Sequence, residues 1–232
     1  MGNNYQLKYD VDVVMCIDAT GSMGPFLDLV KSQALNLYDD LKRKMEQELA
    51  TPKYIHELRV RVIVFRDYLA DGINAMLATD FFSLPAQAAE FEALVQSIQP
   101  MGGGDDPEDG LEALAYAMKS KWNTSTGNKH RQIIVVWTDD GTHELGYGKA
   151  ASTYPQKMAK DFAELTQWWG FNQAPGFMDN QSKRLLIYAP AKDWWTTVAE
   201  TWNNTLMFAS ESGNGLDKLT YDEILSALAQ SV

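Results

Sequence analysis

VDVVMCIDATGSMG, residues 11–24, decides how the rest of the chain is read. Residues 11–17 form a short, mainly apolar run of β-branched character, the mark of a strand covered on both faces. Asp18 closes that strand, and two hydroxyls follow at every second position, Thr20 and Ser22. Pro25 then stands where the first residue of a helix tolerates a missing N–H. A strand passing through a polar turn into a helix is the opening of a βα unit.

The same alternation continues outward. LRVRVIVF (58–65), GINAMLA (72–78), IIVVW (133–137), LLIYA (185–189) and TLMFA (205–209) read as strands, the second of these at a sheet edge. Phe26, Val30, Leu37, Leu41 and Met45 are spaced for a helix after Pro25, and 85–98 reads as another. A further helix follows Pro107, with Asp106 as its cap, Glu108 and Asp109 at its positive end, and Leu111, Leu114, Ala115 and Met118 along one face. Met158, Phe162, Leu165 and Trp169 mark the next, 192–203 another, and Thr220 with Glu223 forms a capping box for the last. The pattern implies a Rossmann-like, doubly wound α/β fold. Its central sheet would be mainly parallel, of about six strands with one antiparallel edge strand, and helices would cover both faces. Residues 1–10 read as an N-terminal tail and 11–232 as a single domain.

At 232 residues the chain is long enough to bury a sizeable core. Its formal net charge of −11 argues against nucleic acid, whose binding rests on neutralising phosphates with Lys and Arg. The apolar runs are too short to span a bilayer. MGNNYQLKYD lacks a secretory apolar segment, and Gln6 stands where a myristoylation motif needs Ser or Thr. With one cysteine, Cys16, there is no internal disulfide, and a cytoplasmic location is expected. Trp169, Trp195 and Trp202 are expected in the core, leaving Trp168 and Trp194 as candidates for exposure.

In parallel sheets ligands bind outside the carboxyl ends of the strands, which selects the turn after residue 17 and the loops near 66, 101–106 and 138. A phosphate cradle fails there, because no Lys follows Gly24 as a Walker loop requires and the dinucleotide pattern lacks its third glycine. An Asp-x-Asp phosphotransferase is excluded by Thr20 in the second acidic position, and an Asp-Thr-Gly protease by the intrusion of Ala19. Ser22 as nucleophile would need a placed base, and of His56, His130 and His143 only His143 lies near a candidate loop. The lone cysteine and scattered histidines give no zinc spacing. A hard divalent cation, by contrast, takes oxygen ligands, and Asp18, Thr20 and Ser22 can turn theirs inward together.

Asp-x-Thr-x-Ser after an apolar strand, GGGDDPED at 102–109 and WTDDG at 137–141 occur in the order found in the von Willebrand factor type A (VWA) domain. The chain resembles the members of that family whose metal-ion-dependent adhesion site (MIDAS) carries Gly-Gly-Gly-Asp-x-Pro-Glu, and FRDY (65–68) agrees with them. The resemblance implies Mg²⁺, or Ca²⁺ or Mn²⁺, held by Asp18, Thr20, Ser22, Asp105 and Asp139. It further implies a non-enzymatic interaction module that offers its cation to an Asp or Glu of a partner protein. That partner would be of the kind found beside such modules: a kinase, phosphatase or ATPase encoded separately. Asp105 replaces the commoner Thr, so three carboxylates would surround one dication. Firm metal retention and a weaker pull on an acidic partner follow.

Asp140, His143 and Glu144, next to the same site, are candidates for touching the partner. Two alternatives stay open. A metal-dependent hydrolase could use the same cation with His143 or Glu144 as base, or the domain could be a scaffold that binds no metal.

Overall fold

The computed structural model describes residues 7–104 and 107–232. Its elements are, in chain order, β1 (Lys8–Asp18), α1 (Gly24–Gln33), α2 (Leu37–Arg43), β2 (Tyr54–Phe65), α3 (Tyr68–Asp71), β3 (Met76–Ala78), β4 (Phe82–Leu84), α4 (Ala88–Ser97) and α5 (Gly110–Met118). There follow β5 (Lys129–Trp137), α6 (Phe162–Trp169), a hairpin of β6 (Gly170–Phe171) and β7 (Ala174–Pro175), β8 (Lys183–Pro190), α7 (Asp193–Thr201), β9 (Thr205–Ser210) and α8 (Tyr221–Ser231).

Side chains leave a strand alternately to its two faces, and β1 divides its apolar residues that way. Val11, Val13, Met15 and Ile17 enter one core with Phe26 and Leu27 of α1, Leu41 of α2, Phe91 of α4 and Leu225 of α8. Val14 and Cys16 enter the other, with Leu114 of α5, Trp169 of α6 and Trp195 of α7. Both faces of the sheet are therefore covered, which explains the near-continuous apolar character of β1, β5 and β8. Trp169, Trp195 and Trp202 are buried as expected, while Trp168 and Trp194 are half-buried against the second core. Burial pushes the Cys16 thiol far up, so it is an inert core group.

The main sheet runs β3-β2-β1-β5-β8-β9. β2, β1, β5, β8 and β9 are mutually parallel, and β3 and β4 pair antiparallel with different parts of β2 at its outer edge. From β1 the chain steps to β2 on one side, then crosses back to β5 on the other. The reversal leaves a crevice between the carboxyl ends of β1 and β5, the position where open α/β sheets bind ligands.

Several boundaries differ from the sequence reading. β1 starts at Lys8, so Lys8–Asp10 belong to the sheet and not to a tail; Lys8 pairs with Tyr54, and Tyr9 with Ile55 and Lys129. The edge strand expected over 72–78 is reduced to Met76–Ala78, because Gly72 takes φ 55° and Gly72–Asn74 close a 3₁₀ turn. The helix expected to start at Pro107 starts at Gly110 instead. Glu108 forms a parallel bridge with Thr142, which holds this backbone extended and moves the N-cap position to Asp109. The Thr220–Glu223 capping box is present in full. Among the described residues, no helix is long and apolar enough to cross a membrane.

Candidate functional site

Four loops converge on the crevice at the carboxyl ends of β1 and β5. Asp18 is fully buried at the end of β1. Its Oδ1 accepts from the Thr20 N–H at 2.8 Å and the Thr20 hydroxyl at 2.7 Å, and its Oδ2 accepts from the Thr138 hydroxyl at 2.7 Å. Ser22 donates to Asp139 Oδ1 at 3.0 Å, and the Gly215 N–H donates to Asp139 Oδ2 at 2.8 Å. Each hydroxyl spends its proton on a carboxylate, so its lone pairs remain for another electrophile. Burial pushes the Asp18 carboxyl up to about 6, against the pull of its Thr20 and Thr138 donors and with a further push from Asp139. Asp18, Thr20, Ser22 and Asp139 are thus brought together as the sequence suggested. Asp105 and Asp106 lie outside the described residues.

The glycine loop closes the crevice from the β2 side. Gly102 and Gly103 take φ 76° and 90°, a region that strains other residues. A Cβ on Gly102 would fall 1.9 Å from Asp71 Oδ1, and one on Gly104 would fall 2.7 Å from the Ala70 Cβ. The loop can lie on α3 only because it carries no side chains there. Arg66, 6% exposed, pins the arrangement. Its guanidinium donates to the carbonyls of Ala19, Met101, Asn74 and Gln99 at 2.8–2.9 Å.

Deeper in, the backbone bridge at Glu108 sets a second group of acids. The His143 N–H donates to the Glu108 carbonyl at 2.9 Å, and the Thr142 hydroxyl does so at 2.8 Å. This stitches the loop after β5 onto the start of α5 and sets His143 Nδ1 3.4 Å from Asp109 Oδ1. The Tyr147 ring stacks on the His143 imidazole with centroids 3.8 Å apart. Tyr68 N–H fixes Asp109 Oδ2 at 2.7 Å, and Leu69 N–H fixes Asp67 Oδ1 at 2.6 Å. Glu108 is 3% exposed, and its Oε2 has no hydrogen-bond partner among the described residues. Burial, then the negative fields of Asp18, Asp67, Asp71 and Asp109, push its carboxyl up to about 10.

The residues expected to meet a partner separate into different roles. His143 is buried against Asp109 and turned away from the surface, because its own backbone is tied to Glu108. Asp140 is engaged by Lys192 Nζ at 2.6 Å and by the Ser212 hydroxyl at 3.1 Å. Although burial raises the Asp140 carboxyl, these donors and the Gly141 N–H hold it below the usual carboxylate range. Glu144 is exposed. Sequence reasoning missed Thr138, Arg66, Asp67, Glu108 and Asp109 as parts of this region. All five lie inside the quoted WTDDG, FRDY and GGGDDPED motifs, so the signal was adjacent to the residues chosen.

Gly110 is where the site meets the core, since a Cβ there would lie 2.5 Å from Trp195 Cζ2. Trp195 also donates from its indole to the Asp140 carbonyl at 3.1 Å. Gly110→Ala is therefore expected to cost about 1–3 kcal/mol through overpacking. Urea unfolding checks this, and a variant as stable as the parent would mean the ring moves freely.

No protein-family model matches the chain. The alpha-protein kinase vwkA of Dictyostelium discoideum is 26% identical over 145 residues, which is 62% of this chain and 21% of that one. This chain thus spans about a fifth of the length of the relative it matches. The pilus adhesin SpaC of Lactobacillus rhamnosus GG superposes with a TM-score of 0.52 at 12% identity, covering 98% of this chain and 31% of the adhesin. Proximal thread matrix protein 1 of the mussel byssus gives a TM-score of 0.46 at 10% identity, covering 97% of this chain and 49% of that one. At such identities the adhesin likeness is one of fold.

Proposed function

We propose that the chain is a divalent-cation-dependent protein-interaction module of the VWA kind. Asp18, Thr20, Ser22 and Asp139 would hold Mg²⁺, with Asp105 as the further ligand that the motif supplies. The observation that carries this reading is the pair of hydroxyl–carboxylate contacts, Thr20 to Asp18 within the turn and Ser22 to Asp139 across the crevice. They align four oxygen-bearing side chains while leaving hydroxyl lone pairs for a cation, and the donor set is all oxygen, as Mg²⁺ prefers. Two buried carboxylates facing one crevice also favour a positive ion there. Bound there, the cation would supply a directional anchor for a partner's Asp or Glu, and the exposed Gly21, Ser22 and Glu144 would be available to that partner.

The hydrolase alternative is weakened by the burial of His143 against Asp109, which removes it as a base aimed at the crevice. For the partner, a kinase, phosphatase or ATPase on a separate chain remains the proposed class. The kinase name of the 26% identical relative favours the first.

Calorimetry and thermal unfolding of chelator-stripped protein test the reading. Mg²⁺ at a hundredfold excess over its Kd should stabilise the parent by about 2.7 kcal/mol, and Asp18→Ala and Asp139→Ala should abolish that gain. Capture of a partner should be lost in chelator and restored by Mg²⁺. Absence of heat and of any thermal shift would leave a metal-free scaffold. Metal-dependent phosphatase or esterase turnover that disappears in Asp18→Ala would establish the hydrolase instead.

A further inference from the structure

Asp67, Asp109 and His143 come from three separate segments: the residue capping α3, the residue preceding α5, and the loop after β5. One ligand atom from each lies within 4.8 Å of the other two, and all three side chains are buried. We propose that these residues form a second cation site, distinct from the oxygen crevice, for a borderline divalent ion such as Zn²⁺ or Fe²⁺.

The donor set separates this site chemically from its neighbour. An imidazole nitrogen suits zinc, copper, iron or nickel, whereas Mg²⁺ and Ca²⁺ prefer oxygen throughout. The spacing suits an ion as well. Two ligands each about 2.1 Å from one metal sit roughly 3–3.5 Å apart at tetrahedral or octahedral angles. Asp109 Oδ1 and His143 Nδ1 are 3.4 Å apart, long for a hydrogen bond but within that range.

The remote side of each ligand is already held. The Tyr68 N–H fixes Asp109 Oδ2, the Leu69 N–H fixes Asp67 Oδ1, and the Tyr147 ring fixes the imidazole plane. Support of this kind orients metal ligands and sharpens affinity. Charge balance points the same way. Asp67 and Asp109 are 2% and 0% exposed, so two carboxylates are buried beside the imidazole. Glu108, next to Asp109 in the chain, carries a buried Oε2 that is unpartnered among the described residues.

The experiment uses the full chain, stripped with chelator, in a His56→Gln/His130→Gln background so that His143 is the remaining imidazole. Zinc is added to one equivalent in excess Mg²⁺, and the zinc-edge X-ray absorption is recorded. An imidazole in the zinc shell is expected; an all-oxygen shell would overturn the site without any further mutation. Zinc affinity should then fall at least tenfold in His143→Gln, the low end of what loss of a ligand or its support costs, while the Mg²⁺ heat persists. Asp18→Ala should do the reverse, losing Mg²⁺ and keeping zinc. Unchanged zinc affinity in His143→Gln, or zinc lost together with Mg²⁺ in Asp18→Ala, would count against a separate site. Failure of the oxygen crevice to bind Mg²⁺ would leave the zinc result standing.

Discussion

Arg66→Met should destabilise the chain by about 3–5 kcal/mol, the range seen when one side of a buried charged network is removed. Met keeps most of the apolar stem but none of the donors. The carbonyls of Ala19, Asn74, Gln99 and Met101 would lose the guanidinium that joins them, and unsatisfied buried acceptors cost about 1–3 kcal/mol each. The substitution also removes the positive charge facing Asp71, Asp18 and Glu108. These carbonyls lie after β1, before β3 and at the entry to the glycine loop, so the loss falls on the walls of the crevice and not on the central sheet. Urea unfolding at pH 7 with chelator present measures the effect. Arg66→Lys should recover only part of it, because a point charge cannot fork to four acceptors. A loss below 1 kcal/mol for Arg66→Met would contradict this account, as that is no more than one ordinary hydrogen bond is worth.

Glu112→Gln should act in the opposite direction, and only at higher pH. Glu112 is fully buried in α5, and burial, with Asp109 nearby, pushes its carboxyl up to about 7 from 4.5. The Gly146 N–H and the Tyr154 hydroxyl, at 2.8 and 2.7 Å, pull it partly back. In the folded chain this group therefore keeps a proton that the unfolded chain gives up. Its contribution to stability is complete below pH 4.5 and is lost as pH rises through 7. A shift of this size corresponds to about 3 kcal/mol at most, from roughly 1.4 kcal/mol per unit. Gln imitates the protonated acid and still accepts from Gly146 and Tyr154. The variant should match the parent near pH 4 and exceed its stability by about 1–3 kcal/mol at pH 8, where repulsion is removed. Denaturant unfolding across that range should show a flatter profile for Gln, and lower stability at pH 8 would refute the assignment.

The sheet was legible because its parallel strands are covered on both faces, so IIVVW and LLIYA announce themselves by apolar content alone. Less legible were elements defined by pairing. The 170–175 hairpin and Phe82–Leu84 are two or three residues long and have no period to detect. The start of α5 misled for a physical reason: Asp106, Pro107 and Glu108 are good N-terminal helix residues, but the bridge to Thr142 outweighs local preference. At the crevice, Asp18, Thr20, Ser22 and Asp139 could be chosen because three of them share a turn and the fourth closely follows a strong strand. His143 was also singled out, but as a surface residue; nothing local to residue 143 shows that Asp109 receives it. Convergence of distant loops is a tertiary fact, which is why Arg66, Asp67 and Glu108 emerged only from their contacts.

The Gly215 contact with Asp139 has a temporal side. Gly213 and Gly215 back onto Asp139, and a Cβ on Gly215 would fall 2.3 Å from the Ser22 carbonyl, so the loop after β9 presses on the turn after β1. Gly215 follows Ser22 by 193 positions (215 − 22). At roughly 5–20 residues per second, a ribosome takes about 10–40 s to cover that interval. Throughout it the first half of the crevice waits without its back wall. The oxygen cluster is therefore complete only once Gly215 has been made, and any ion that needs it whole reports that these two distant loops have met.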